Sequence, residues 1–305
     1  MFSFQYSEEV KQAIELSLPI VVLESTIISH GMPYPANLQT AQEVESVVRS
    51  HNAVPATIGI LSGTVHIGLT PEALETLAKA GPTCTKCSRR NLPQVLSQKL
   101  NGSTTVAATM YLASLAGLKI FVTGGIGGVH RGAEETWDIS ADLIELGRTP
   151  VMVICAGAKS ILDIPKTLEY LETQGVPVIG YGTDFFPAFF SPSSGCEVMS
   201  RIDSPEGCAD FLRYNDGLKM NNGVLVAVPL AEEDIAHGAE NAIQQALQEV
   251  RELGIKGSGV TPYLLKRVNE LSGGESLKAN IVLIKQNAKV GALIACEFYK
   301  KKEIS

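Results

Sequence analysis

Short apolar, β-branched runs recur along almost the whole chain, each separated from the next by a stretch with helical spacing, and this alternation constrains the fold more than any other feature. The candidate strands are Ile20–Glu24, Thr57–Leu61, Ile120–Thr123, Val151–Ala156, Pro177–Gly180 and Val224–Val228. Val151-Met152-Val153-Ile154-Cys155 shows no polar alternation, as a strand buried on both faces requires, so these runs belong at the centre of a sheet. Between them, Asn37–His51 repeats Ala41, Val44, Val47 and Val48 at helical spacing. Pro71–Ala80 carries Thr70 as N-cap, Pro71 at the first helical position and Gly81 just past its end. Val106–Ala116, Lys166–Gln174, Ser204–Leu218, Glu240–Leu253 and Leu277–Lys300 read the same way. The expected fold is α/β, a layered α/β/α arrangement on a largely parallel central sheet. Length alone leaves one domain or two open, but no repeat or low-complexity linker divides the chain, so residues 1–305 are read as a single domain.

Composition removes several classes of function. A formal net charge of -7 gives no field to draw in a polyanion, and the basic runs Lys86 with Arg89-Arg90 and Lys300–Lys302 are too short to follow a duplex, so no polymeric nucleic acid is expected. The second run reads as a solvated tail. No apolar stretch reaches the roughly 18 residues of a membrane span, and Met1–Leu18 mixes charged and apolar residues without a signal-peptide core. No membrane association is expected. An intracellular protein, cytoplasmic or organellar, also suits six cysteines scattered over a chain too large to need disulfides. Cys84-Thr85-Lys86-Cys87 is a C-x-x-C, but no second pair or nearby histidine completes a zinc site.

In a sheet of this kind ligands bind beyond the carboxyl ends of the strands. Those ends are polar here: Glu24-Ser25-Thr26, Ser62-Gly63-Thr64, Thr123-Gly124-Gly125 and Gly157-Ala158-Lys159-Ser160. A carboxylate directly after Val21-Val22-Leu23 is costly unless paired or functional, and burial would bring Glu24 toward a general acid's range; a hydrogen-bonded glutamate closing the strand end is the structural alternative. Lys159 follows an apolar strand and a Gly-Ala pair, a partly desolvated setting that suits a Schiff-base nucleophile, with a phosphate-binding or solvated lysine as the alternative. Its surroundings are no P-loop, since Ala158 and Val153 stand where that motif has glycine. Thr123 to Gly132 is the most glycine-dense segment, a nest for a phosphate to which His130 and Arg131 add charge, or simply a turn with a solvated His-Arg pair. Asp138-Ile139-Ser140-Ala141-Asp142 sets two carboxylates four apart, on one face if helical, enough for a loosely held and largely water-ligated hard cation. Pro187–Gly195 reads as a surface loop, either a lid or a connection anchored by Phe189 and Phe190.

Taken together, Leu23-Glu24-Ser25-Thr26-Ile27-Ile28-Ser29-His30-Gly31-Met32-Pro33, Val54–Ile58, Ser88-Arg89-Arg90, Thr123–Gly132, Asp138–Leu143 and Cys155–Ser160 resemble the pseudouridine-5'-phosphate glycosidases, the indigoidine synthase A-like proteins. The resemblance runs over nearly the whole chain in the expected order. It implies a lyase that reversibly cleaves the C–C glycosidic bond of pseudouridine 5'-phosphate to uracil and ribose 5-phosphate, a homotrimer with one divalent ion, usually Mn2+, per subunit. It makes Glu24 the proton donor, Lys159 the nucleophile and Asp138 the metal ligand. Lys86, Thr105, Val106, Ser140, Ala141 and Asp142 become substrate contacts, Asn280 a contact to the base, and Thr123 and His130 part of the glycine-rich site.

The chemistry agrees with that assignment. A C-glycosidic bond has no heteroatom leaving group, so protonating a departing oxygen cannot break it, and a covalent route is needed. Two other readings are a phosphosugar kinase without a P-loop, which would require nucleotide-dependent activity, and a non-catalytic phosphosugar or nucleotide sensor, which would need neither Glu24 nor Lys159.

Overall fold

The computed structural model describes residues 3–235, 238–255 and 260–300. Lys301 and Lys302 of the C-terminal basic run, and the first two residues of the Met1–Leu18 segment, lie outside them. The strands in chain order are β1 Phe4–Tyr6, β2 Ile20–Leu23, β3 Val54–Leu61, β4 Thr64–Ile67, β5 Thr85–Cys87, β6 Gly102–Thr104 and β7 Ile120–Val122. They continue as β8 Val129–His130, β9 Met152–Cys155, β10 Leu162–Asp163, β11 Val178–Tyr181, β12 Ser200–Ile202 and β13 Val224–Ala227. The helices are α1 Glu8–Glu15, α2 Ala36–Ser50, α3 Pro71–Ala80, α4 Leu92–Ser97, α5 Val106–Leu115, α6 Ala133–Thr136 and α7 Ala141–Leu146. They end with α8 Ile164–Thr173, α9 Pro205–Gly217, α10 Ala239–Glu252, α11 Val260–Leu271 and α12 Glu275–Tyr299.

The central sheet runs in the order β1-β4-β3-β2-β7-β9-β13-β11-β12, with β5 and β6 branching from β3. From β3 to β12 every pairing is parallel. The six strands read from apolar runs are the middle of this sheet, and β2, β7, β9 and β13 are buried along their whole length. That burial on both faces is why their sequences lack alternation. The antiparallel pairings, β3 with β4 and with β6, lie to one side.

α12 lies close on the sheet because Gly291 faces it: a Cβ there would meet the Val122 side chain at 2.2 Å. Glycine inside a helix costs about 1 kcal/mol against alanine, and the close approach explains its place. Along the same helix, Asn287 Nδ2 donates to Thr123 O at 2.9 Å, so α12 is tied to the carboxyl end of β7. One apolar core extends from Val10 to Ala295. Among the described residues no helix is long and apolar enough to cross a membrane.

Candidate active site

Register brings the first two site residues together. Leu23 of β2 pairs with Val122 of β7, so Glu24 and Thr123 emerge side by side, and the Thr123 hydroxyl donates to Glu24 Oε1. Glu24 is only 8 % exposed. Burial raises its pKa above the ordinary carboxylate range, against the opposing pull of Lys159, of the Thr123 hydrogen bond and of Lys86. The turn after β2 is stitched to the end of β6: Thr104 N donates to Ser25 Oγ at 2.9 Å, and Thr26 Oγ1 donates to Thr104 O at 2.8 Å. Beyond it Ile27–Gly31 forms a π-helical turn, a rare conformation frequent at functional sites.

Lys159 is placed by the next strand. Past β7 the glycine-rich segment continues alongside the chain leaving β9, with Ile126 N donating to Gly157 O and Lys159 N donating to Ile126 O, both at 3.0 Å. Gly157 sits at φ +85° with Pro187 O only 2.5 Å from where a Cβ would stand, so this turn needs glycine. Lys86 comes from β5 and is half-buried. Desolvation first, and then the Lys159 charge, lower its pKa, partly offset by Asp142 and Glu24.

Glu24, Lys86, Lys159 and Asn280 line one narrow pocket, together with His30 and Phe189. The Phe189 ring packs where a side chain on Gly125 would be, 2.5 Å from its Cβ position. Phe189 and Phe190 are buried and meet edge to face with centroids 4.7 Å apart, so Pro187–Gly195 is an anchored connection that walls the pocket. Among the described residues, Asn280 Oδ1 is buried without a hydrogen-bond partner.

The other predicted residues divide. Asp142 is buried; its Oδ1 accepts from Ala107 N at 3.0 Å and its Oδ2 from Gly127 N at 2.8 Å, which pins the glycine-rich segment to the start of α5. Ser140 N-caps α7, accepting from Asp142 N at 3.2 Å. The helix therefore begins at Ala141, which is exposed, and the expectation that Asp138 and Asp142 share a helical face is corrected: Asp138 precedes the cap in non-helical chain. Thr105 is the N-cap of α5, and Val106 is buried in the core. Asp138 and His130 line a separate, wider cleft with Arg131 and Trp137. His130 Nδ1 lies 4.0 Å from Asp138 Oδ2. Burial lowers the His130 pKa, Asp138 opposes this, and Lys159 and Lys86 are near enough to lower it further. Arg89, in the basic run, is held by buried Glu145 at 2.7 Å. Cys84 and Cys87 are buried free thiols.

The model of the family described as indigoidine synthase A like protein matches residues 9–297. The chain belongs to this family. It is 55% identical over 291 residues to a pseudouridine-5'-phosphate glycosidase of Arabidopsis thaliana, covering 95% of this chain and 88% of that one. It is 53% identical over 293 residues to the protein of that name in Staphylococcus aureus, covering 95% of each. Among solved structures, the prealnumycin C-glycosynthase AlnA in complex with ribulose 5-phosphate superposes with a TM-score of 0.89 at 38% identity, covering 97% of each chain. An indigoidine synthase A-like protein of Thermotoga maritima gives the same TM-score at 32% identity, covering 98% of this chain and 97% of that one. The layered, largely parallel α/β/α fold is thus shared with these two solved structures.

His30 and Phe189 are the lining residues whose part was least visible in the sequence, where they stood only in the motif that follows Glu24 and in a loop. Their signal was position: His30 follows Glu24 by six residues in the turn leaving β2, and the two adjacent aromatics sit in an otherwise polar loop.

Proposed function

We propose that this protein reversibly cleaves pseudouridine 5'-phosphate to uracil and ribose 5-phosphate through a Schiff base on Lys159, a reaction of pseudouridine catabolism. The observation that carries the reading is the shared pocket of Lys159 and a buried Glu24 whose carboxyl is held above its ordinary range. The names of the relatives and the sugar phosphate bound to the C-glycosynthase support the substrate class.

The Lys159 amine attacks C1' while Glu24 gives a proton to the departing ring oxygen, opening the ribose. The nitrogen passes its extra proton to the Glu24 carboxylate, and its lone pair then forms the iminium as the C1'–C5 bond breaks; that bond's electron pair stays on uracil C5, which takes up a proton. Water adds to the iminium, ribose 5-phosphate leaves and the amine is restored. Lys86 and the backbone amides of the glycine-rich segment suit the phosphate, whose remote binding energy positions the reacting carbon.

The divalent ion, Mn2+ at one per subunit, is proposed at Asp138. Among the described residues no group of three or more metal-ligating side chains surrounds it, while its carboxylate is about a third exposed in an open cleft. That donor set fits an ion that keeps most of its water. When bound, such an ion would supply positive charge in that cleft. The assembly is proposed to be a homotrimer.

The test is incubation with ribose 5-phosphate, borohydride reduction and peptide mass mapping. A reduced sugar-phosphate adduct on Lys159, absent from a folded and inactive Lys159→Ala variant, is the expected result. A folded wild-type protein without the adduct, or an active Lys159→Ala variant, overturns the reading.

A further inference from the structure

His30 lies near the end of the π-helical turn and stands, with Gly31 and Asn280, where the narrow pocket meets a wider cavity of about 650 Å³. Ser29 Oγ lies 2.6 Å from His30 Nδ1 and donates to Ser103 Oγ at 2.5 Å. A serine hydroxyl has a single proton. Because Ser29 spends it on Ser103, at 2.6 Å it can only accept from the imidazole, so Nδ1 carries the ring hydrogen, and the longer 3.4 Å approach of Ser103 Oγ to the same nitrogen brings it no proton. Burial, and then the Lys86 charge, lower the His30 pKa, which favours the neutral ring. Nε2 is then a bare acceptor, and it has no hydrogen-bond partner among the described residues. Asn280 Oδ1, at the same boundary, is a second acceptor without one.

Two unpaired acceptors select against some ligands and for others. A phosphate or carboxylate brings acceptors of its own and leaves both unsatisfied, whereas a planar ring with two N–H donors satisfies both. Uracil is such a ring. We propose that His30 is a base-reading residue of this site, its Nε2 accepting one ring N–H of uracil while Asn280 accepts the other. The proposal rests on the function argued above and adds to it how the base is chosen. It places the reacting carbon at Lys159 in the narrow pocket and the base toward the wider cavity, where a ring lacking one N–H would strand a buried acceptor.

The experiment runs the reaction in the synthetic direction, with ribose 5-phosphate and uracil, 1-methyluracil or 3-methyluracil. The wild-type protein is expected to reject both methylated bases. His30→Leu should lose about 10- to 100-fold in kcat/KM for uracil, the effect of one unmade buried hydrogen bond, and should use one methyluracil about as well as uracil while still rejecting the other. Borohydride trapping of ribose 5-phosphate on Lys159 should be unchanged in that variant. His30→Gln, which restores an oxygen acceptor, should recover part of the preference. If His30→Leu does not fold, His30→Phe, planar and without an acceptor, carries the same comparison. A variant that rejects both methyluracils as strongly as wild type overturns the proposal, and so does loss of the sugar adduct, which would put His30 on the ribose. A wild-type protein that forms the adduct but does not couple uracil overturns the substrate assignment instead.

Discussion

Glu24 is the residue whose chemistry reports on itself. Burial raises its pKa, so the folded chain holds this proton more tightly than the unfolded one. The stability linked to it is fully present below the ordinary carboxylate pKa, about 4.3, and is lost as pH rises through the raised folded value. Glu24→Gln has no such dependence: thermal unfolding followed from pH 4 to 9 should show the variant gaining on wild type as pH rises, with little difference at the acid end. Its kcat should fall by about 10²- to 10⁴-fold, and the alkaline decline expected of wild type as Glu24 loses its proton should disappear. A variant with the wild-type rate profile removes Glu24 from the acid role. Glu24 and Lys159 were legible in the sequence because a charged residue at the end of an apolar strand is costly without a purpose. His30 was not, because its tautomer is set by Ser103, which only folding brings to it.

At the scale of elements, the long apolar strands and amphipathic helices were readable and the short pieces were not. Pro71–Ala80 was bounded by its own cap residues, and the structure has the same limits. β1, β5 and β6 are three residues each, too short for any periodicity to register. Asp138 and Asp142 would share a face only in a helix, and that condition is not met because Ser140 acts as a cap, which spacing alone does not reveal. That cap matters to the site. A Cβ on Gly127 would stand 2.2 Å from Ser140 Oγ, which caps α7, and 2.8 Å from Asp142 Oδ2, which accepts from Gly127 N and holds the glycine-rich segment against α7. Gly127→Ala should therefore lower stability by about 1–3 kcal/mol and reduce activity at least as much as stability, measured by urea unfolding beside steady-state rates. Gly217, with nothing within 4 Å of its Cβ position, is the control: its alanine variant should be neutral or stabilised by up to about 1 kcal/mol. Equal effects at the two glycines would mean that the Ser140 and Asp142 contacts do not set the segment's position.

Over the whole molecule, the pocket draws on residues from Glu24 to Asn280, carried by the ends of β2 and β9, by β5, by the connection after β11 and by α12. The order of strands in the sheet, which brings these ends together, could not be read from the sequence, because apolar runs fix which strands are central but not which are neighbours. The consequence is mechanical. No short stretch of the chain contains the site, so a ligand that binds it must stabilise all of these elements at once. Ribose 5-phosphate at about 100 times its dissociation constant should stabilise the fold by about 2.7 kcal/mol. Scanning calorimetry should then show a single transition that moves up by several degrees as one unit. Trapping on Lys159 makes the shift independent of free ligand, so the reduced adduct should keep its raised Tm after dialysis while Lys159→Ala returns to the unliganded value. Two transitions, with one alone responding to ligand, would show that residues 1–305 do not fold as a single domain and would confine the site to the responding part.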